Sequence, residues 1–240
     1  GSILLVGVGG IGCQWSSSAH EKCRNLSDLL LIDADESSFS SSIEANCLHL
    51  DANGSARGAA ALPNLAAHRL SKGMADILEL LKKSELVVLL TALGGGTGSG
   101  ASIEIASKAR DSGSMVISIV GIPFAEQPLR CAIAKQSLPS LEKNSDLCIL
   151  VSLERLAWQA RDRNTDWKVG SGWIAELIEG LVATLAKVGK MNLDLMDLRT
   201  IINRPGNATL LVGNGSIDDP EGVVRIATKS PLSDISADGA

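Results

Sequence analysis

The sequence predicts an α/β fold, a parallel sheet covered by helices on both faces, and two observations predict it. Apolar runs at residues 3–6, 29–32, 86–90, 115–120 and 147–151 are short and do not alternate with polar residues. Strands of that kind are buried on both faces, which happens in parallel sheets sandwiched between helices. The segments between most of the runs are also long enough to hold the crossover helices that parallel strands need. With 240 residues, 45% of them hydrophobic, the chain is large enough for one self-sufficient core that buries roughly 70% of its unfolded surface.

Taken in order, the run at 3–6 ends in Gly7-Val8-Gly9-Gly10-Ile11-Gly12, and a Ser-rich stretch read as helix leads to the second strand, closed by Asp33-Ala34-Asp35. Residues 38–64 are rich in Ser, Gly, Ala and Asn with little periodicity, so a long loop with some short structure is expected. The run at 86–90 feeds Gly94-Gly95-Gly96-Thr97-Gly98-Ser99-Gly100, after which 103–110 reads as helix and 115–120 as strand. From 172 to 187, Ile174, Leu177, Ile178, Leu181, Val182 and Leu185 recur at helical spacing and predict a long central helix ending near Gly189. Residues 209–212 are strand-like. Asp218-Asp219-Pro220-Glu221 suits the start of a last helix running to Ile226.

Composition narrows the partners. A net charge of −5 and the lack of any Lys/Arg cluster give no field for nucleic acid. Aromatics make up 2% with no Tyr, which removes the stacking surfaces that single-stranded nucleic-acid binders use. Cys13, Cys23, Cys47, Cys131 and Cys148 are scattered without a CxxC pair, so neither a disulfide framework nor a zinc site is indicated, and a reducing cytoplasm is expected. No apolar run reaches the roughly 20 residues of a membrane span. Direct membrane insertion and a leader ahead of the first strand are not expected.

The two glycine turns carry the chemistry. Gly7, Gly9 and Gly12 satisfy G-x-G-x-x-G directly after a strand, with Asp33 about 20 positions on, a Rossmann-like pattern that fits a dinucleotide or adenylating site. A tight turn without ligand fits this loop as well. The second turn is more specific. Five glycines interleaved with Thr97 and Ser99, between a strand and a helix, let backbone N–H groups converge on a phosphate while the helix adds its positive dipole end. Two such loops on one sheet suit a triphosphate gripped from both sides.

Gly-Gly-Gly-Thr-Gly-Ser-Gly resembles the signature shared by tubulins and FtsZ, and the remaining motifs follow the FtsZ order across essentially the whole chain. The resemblance implies a tubulin/FtsZ GTPase domain with the following contacts. Gly9, Gly10, Ile11 and Gln14 lie in the segment similar to the first nucleotide loop, and Asp35 lies in the second. Gly58, Ala59 and Ala60 fall in a segment similar to the loop facing the γ-phosphate. Gly94, Gly95, Gly96, Thr97, Gly98 and Ser99 form the signature loop. Pro123-Phe124-Ala125-Glu126 with Arg130 resembles the ribose-contacting segment, which makes Glu126 and Arg130 nucleotide contacts. Residues 191–199 resemble the catalytic loop, with Asn192, Asp194 and Asp197 as its polar groups, and Ser230-Pro231-Leu232 matches the end of the helix after it.

The family would bind GTP and GDP with Mg²⁺, hydrolyse GTP, and form cytoskeletal filaments used in cell division. A central helix of roughly 20 residues is ~30 Å long, so Asn192, Asp194 and Asp197 lie too far from the glycine turns to serve their own nucleotide. The family's head-to-tail stacking, one subunit's acidic loop meeting the next subunit's nucleotide, resolves this. Membrane-associated adaptor proteins would be further partners. As plain residues, Asn192, Asp194 and Asp197 are also good helix caps and turn formers. Glu126 and Arg130 are also spaced for a solvated helical ion pair.

Some positions depart from the family pattern. Leu153 stands where an Asn helps read guanine, Gly172 where an Asp would bond it, and Lys168 near where an aromatic would stack, with Trp158 or Trp167 as possible substitutes. The chain also stops near Asp238, about where the family's second subdomain begins, so that subdomain is expected to be missing. The predicted organisation is a nucleotide-binding domain at 1–165, the central helix at 166–190, and a catalytic-loop segment with following strand and helix at 191–240, packed on the same domain. The alternatives are a nucleotide-binding scaffold or regulatory module without turnover, and an NAD-dependent or adenylating Rossmann enzyme.

Overall fold

The computed structural model describes residues 2–39, 45–50, 62–162, 164, 170–186, 219 and 221–222. Six strands form one all-parallel sheet: β1 (Ile3–Val8), β2 (Asp28–Asp33), β3 (Asn46–His49), β4 (Leu86–Ala92), β5 (Met115–Ile122) and β6 (Leu147–Ser152). Their spatial order is β3-β2-β1-β4-β5-β6. The chain therefore winds outward in one direction from β1 and in the other from β4. Ligands bind outside the carboxyl ends of the strands at such a reversal.

Helices α1 (Gly9–Cys23), α5 (Leu153–Asp162) and α6 (Gly170–Ala186) cover one face of the sheet. Helices α2 (Pro63–Lys83), α3 (Gly96–Asp111) and α4 (Pro128–Lys143) cover the other. Alternate strand residues feed the two layers. Leu5, Leu31, Val88 and Ile117 point to α1 and α6, and Leu4, Leu30, Leu89 and Val116 to α2, α3 and α4. All eight are buried, and a fully buried Leu or Val side chain contributes about 1.5–3 kcal/mol. This two-sided burial is what the unalternating runs predicted.

The expected central helix is α6, which buries Ile174, Leu177, Ile178, Val182 and Leu185 against α1. Glu176 is exposed, and Glu179 forms an ion pair with Lys22 of α1 at 3.4 Å. The segment 38–64, expected to be a long loop with some short structure, contains short elements among its described residues. The end of a 3-10 turn (Glu36–Phe39), β3 and the first residues of α2 fall within 38–64. Helix α3 starts at Gly96, seven residues before the predicted start, because its first turn is the glycine loop itself. The strand expected at 209–212, most of the helix expected after 218, and the segment 191–199 lie outside the described residues. Among the described residues, no helix is long and apolar enough to cross a membrane.

Candidate functional site

Helix α1 begins directly after β1, and α3 begins four residues after β4, so both glycine turns sit at the carboxyl edge where the strand order reverses. They meet there. A β-carbon placed on Gly9 would lie 3.3 Å from the amide nitrogen of Gly98. Gly9 takes φ of +76°, a backbone conformation that glycine reaches without strain and that opens α1 toward α3.

Neither helix start is capped by a side chain, and neither carries an acidic residue in its first turn. The first N–H groups of a helix have no partner within it, and they carry the positive end of its dipole. Two such ends side by side form a cradle for an anion.

Hydrogen bonds fix the cradle from behind. Thr91 Oγ1 lies 3.1 Å from Val8 O and 3.2 Å from Gly98 O, so its single proton is shared between the end of β1 and the first turn of α3. Ser102 Oγ donates to the same Gly98 carbonyl. The Gly94 N–H donates to Ser99 Oγ at 2.9 Å. Ser99 is fully buried, and its first duty is thus to shape the loop. Thr97 is also buried. Thr91 and Ser102 are absent from the sequence prediction; a hydroxyl residue at the end of an apolar strand was the one available signal.

The glycines of the cradle divide by what surrounds them. A β-carbon on Gly98 would overlap the carbonyl oxygen of Ala92, and one on Gly94 would fall 2.8 Å from Arg130 Cβ, so these positions are filled by protein. Gly95 is different: a β-carbon there would meet nothing within 4 Å, at an ordinary φ of −101°. Gly10 is exposed, and a β-carbon on it would meet only Ser38 Oγ at 3.7 Å and Asp33 Oδ2 at 3.8 Å. Gly95 therefore faces open space, and Gly10 is exposed with its neighbours at ordinary contact distance, so the protein's own packing requires glycine at neither position.

The turn after β2 flanks this mouth. Asp33 is buried, accepting the Ala34 N–H at 2.7 Å on one oxygen and the Ser38 hydroxyl at 2.5 Å on the other. Its carboxylate is taken up within the turn, which weakens the dinucleotide reading that would give it to a ribose. Asp35 is exposed and accepts the Ser37 N–H at 3.0 Å. His49 at the end of β3 braces the turn, with Nε2 3.1 Å from Ala34 O and Nδ1 3.5 Å from Glu36 Oε1. Cys13, beneath the loop, is inert: burial, helped by the negative charge of Asp33, pushes its thiol well above the usual range.

Of the remaining expected contacts, Gln14 is exposed and Ile11 half-buried on α1. Glu126 and Arg130 are both exposed, and the stem of Arg130 lies against Gly94. They do not form the helical ion pair that their spacing allows, because α4 starts at Pro128 with Gln127 as its cap and Glu126 stands outside it. Gly58, Ala59, Ala60, Asn192, Asp194 and Asp197 lie outside the described residues, as do Trp167 and Lys168.

Farther along the strand ends, Leu153 is buried at the start of α5, where a β-carbon on Gly121 would meet Leu153 Cδ2 and Trp15 Cη2, each at 3.1 Å. It offers an apolar contact and no hydrogen bond. A β-carbon on Gly172 would meet nothing within 4 Å. Trp158 is 55% exposed and, with Ser152, Glu154, Arg155 and Arg161, lines an open groove of about 620 Å³. Among the described residues, no group of three or more His, Cys, Asp or Glu side chains is placed to hold a metal ion.

The family model for the Tubulin/FtsZ family, GTPase domain, matches residues 2–159. The chain is 29% identical over 243 residues to cell division protein FtsZ 1 of Archaeoglobus fulgidus, covering 99% of this chain and 66% of that protein. It is 29% identical over 244 residues to cell division protein FtsZ of Haloferax mediterranei, covering 100% of this chain and 65% of that protein. The chain thus spans just under two thirds of the length of these relatives. In fold it is similar to an empty FtsZ dimer structure from M. jannaschii, with a TM-score of 0.80 at 24% identity, over 100% of this chain and 71% of that one. Motif order, the meeting of the two glycine turns and the family model agree, and the chain belongs to the Tubulin/FtsZ family through its GTPase domain.

Proposed function

We propose that this domain binds GTP and GDP and hydrolyses GTP as part of a head-to-tail cytoskeletal assembly of the FtsZ kind. The observation that carries the reading is the contact of two uncapped helix starts at Gly9 and Gly98, with Gly95 facing open space and Gly10 exposed. That arrangement suits a chain of phosphates. Backbone N–H groups of both first turns bind the phosphate oxygens, Thr91 and Ser99 hold the turns in place, and the exposed Arg130 stands beside Gly94. Mg²⁺ would ride on the phosphates and supply charge neutralisation.

In hydrolysis a water oxygen bonds to the γ-phosphorus, the bond from that phosphorus to the β–γ bridging oxygen breaks, and GDP and inorganic phosphate leave with the water's proton passed to a base. Asn192, Asp194 and Asp197 of a neighbouring copy would orient that water. The contact supports turnover only when two copies stack, so the specific rate of GTP hydrolysis should rise with protein concentration. A concentration-independent rate would exclude shared catalysis. A part in cell division extends this reading from the names of the relatives above, and a cytoplasmic location and membrane-associated adaptor partners are proposed with it from the sequence resemblance.

A second reading, a module that binds nucleotide without turnover, draws support from Leu153 and Gly172, which offer no polar group for a guanine. Tight GTP binding without phosphate release at any concentration would favour it.

A further inference from the structure

Gly100 sits one turn into α3, fully buried, with a backbone outside the positive-φ glycines of the chain. Glycine is the least favoured residue in a helix interior after proline, so one that needs no unusual φ needs another reason. Space is that reason. A β-carbon on Gly100 would overlap the carbonyl oxygen of Pro63 and lie 2.6 Å from its carbonyl carbon and 2.9 Å from its Cα. The first residue of α2 is thus seated on the α3 backbone, directly beside Ser99, whose oxygen holds the Gly94 N–H.

No side-chain cap fixes the start of α2. Leu62, its cap residue, makes no side-chain cap bond and is 55% exposed. The Leu65 and Ala66 N–H groups both donate to the Leu62 carbonyl, at 3.1 and 3.3 Å. All three atoms that would crowd a Gly100 β-carbon belong to the Pro63 backbone, which cannot rotate away as a side chain would. Any side chain at Gly100 must therefore move one helix start or the other. Moving α3 displaces Ser99 and Gly98, and with them the contact to Gly9.

We propose that Gly100 is a positioning residue: its bare backbone seats Pro63 and so couples the start of α2 to the phosphate cradle. This rests on the nucleotide-binding reading above. Filling the contact pushes the cradle open without removing any donor from it, and a bound phosphate chain in turn stiffens the first turn of α2.

The test compares wild type, Gly100→Ala and Ile77→Ala for GTP dissociation constant and melting temperature. Ile77 is buried on α2 roughly 20 Å from Pro63, so its truncation loosens α2 without touching the cradle. Gly100→Ala should weaken GTP binding about tenfold or more, while Ile77→Ala lowers the melting temperature and leaves affinity within about twofold. Wild-type affinity in a folded Gly100→Ala protein would overturn the coupling.

Should Gly100→Ala not fold, amide exchange in the wild-type protein decides. GTP should slow exchange at Leu65 and Ala66 severalfold, although neither belongs to the proposed cradle, and unchanged exchange there overturns the proposal. A wild-type protein that fails to bind GTP removes the functional reading itself, and the binding control separates that outcome from failure of the coupling.

Discussion

Gly9 and Gly98 stand back to back, so close that a β-carbon on the first would lie 3.3 Å from the amide nitrogen of the second. The contact joins two turns that lie almost ninety positions apart in the chain. Gly9→Ala should strain a backbone held at φ of +76° and crowd α3 as well. A destabilisation of about 1–3 kcal/mol is expected, with weaker GTP binding. Chemical denaturation and nucleotide titration on the same preparation would measure both.

Ser99→Ala leaves the buried Gly94 N–H without its acceptor. Orphaning a buried donor costs about 1–3 kcal/mol. The loop should relax and affinity for GTP should fall, with Ser99→Thr restoring more of the loss than Ser99→Val. Isothermal titration across the three variants would show whether the hydroxyl is what matters.

Asp194→Ala should leave GTP binding near the wild-type value and reduce turnover by about a hundredfold or more, the scale of losing a group that positions the attacking water. Mixing Asp194→Ala with a protein carrying an intact acidic loop but a crippled cradle, such as Gly98→Ala, should restore part of the activity. No restoration in the mixture would argue against catalysis shared between copies.

Gly172→Asp places a carboxylate where a β-carbon meets nothing within 4 Å, so the fold should tolerate it. If the base of the nucleotide lies beside α6, the new acceptor should raise the preference for GTP over ATP about tenfold or more. Competition binding with the two nucleotides reads this directly.

At alkaline pH the buried thiols set a limit. Burial pushes Cys148 from 9.0 to about 12, with Glu142 adding to the effect, and it raises Cys13 further. A raised folded-state pKa means that the stability linked to the neutral thiol is complete below the unfolded value near 9.0 and falls as pH climbs toward 12. Stability should therefore decline across that window. Cys148→Ala should flatten part of the decline in urea titrations between pH 8 and 11.

Much of the fold was legible because its strands are buried on both faces. The runs in β1, β2, β4 and β5 are mostly Leu, Val and Ile buried on both faces, and the edge strand β6 carries a similar run although its Leu150 is exposed. β3 escaped notice since Asn-Cys-Leu-His buries only Leu48 on an edge. Helix α4 hides its period: Ala134, Ser137 and Leu141 are the residues it buries, and Pro139 sits inside it. Helix α2 carries a readable stripe in Ala66, Leu70, Ile77 and Leu81, and the expected loop at 38–64 overlaps only its first two residues. At the site, the glycines were readable because their spacing is local. Thr91 was not, since its role depends on Val8, 83 positions away.

The two helix starts that form the cradle belong to different hydrophobic layers. Cys13, Trp15 and Ala19 of α1 pack on one face of the sheet, and Ala101, Ile105 and Ala109 of α3 on the other. An anion held by both is a staple through the sheet, joining halves that otherwise meet through the strands and the Gly9–Gly98 contact. Nucleotide should accordingly sharpen the melting transition as well as raise its midpoint, making the two layers come apart as one unit.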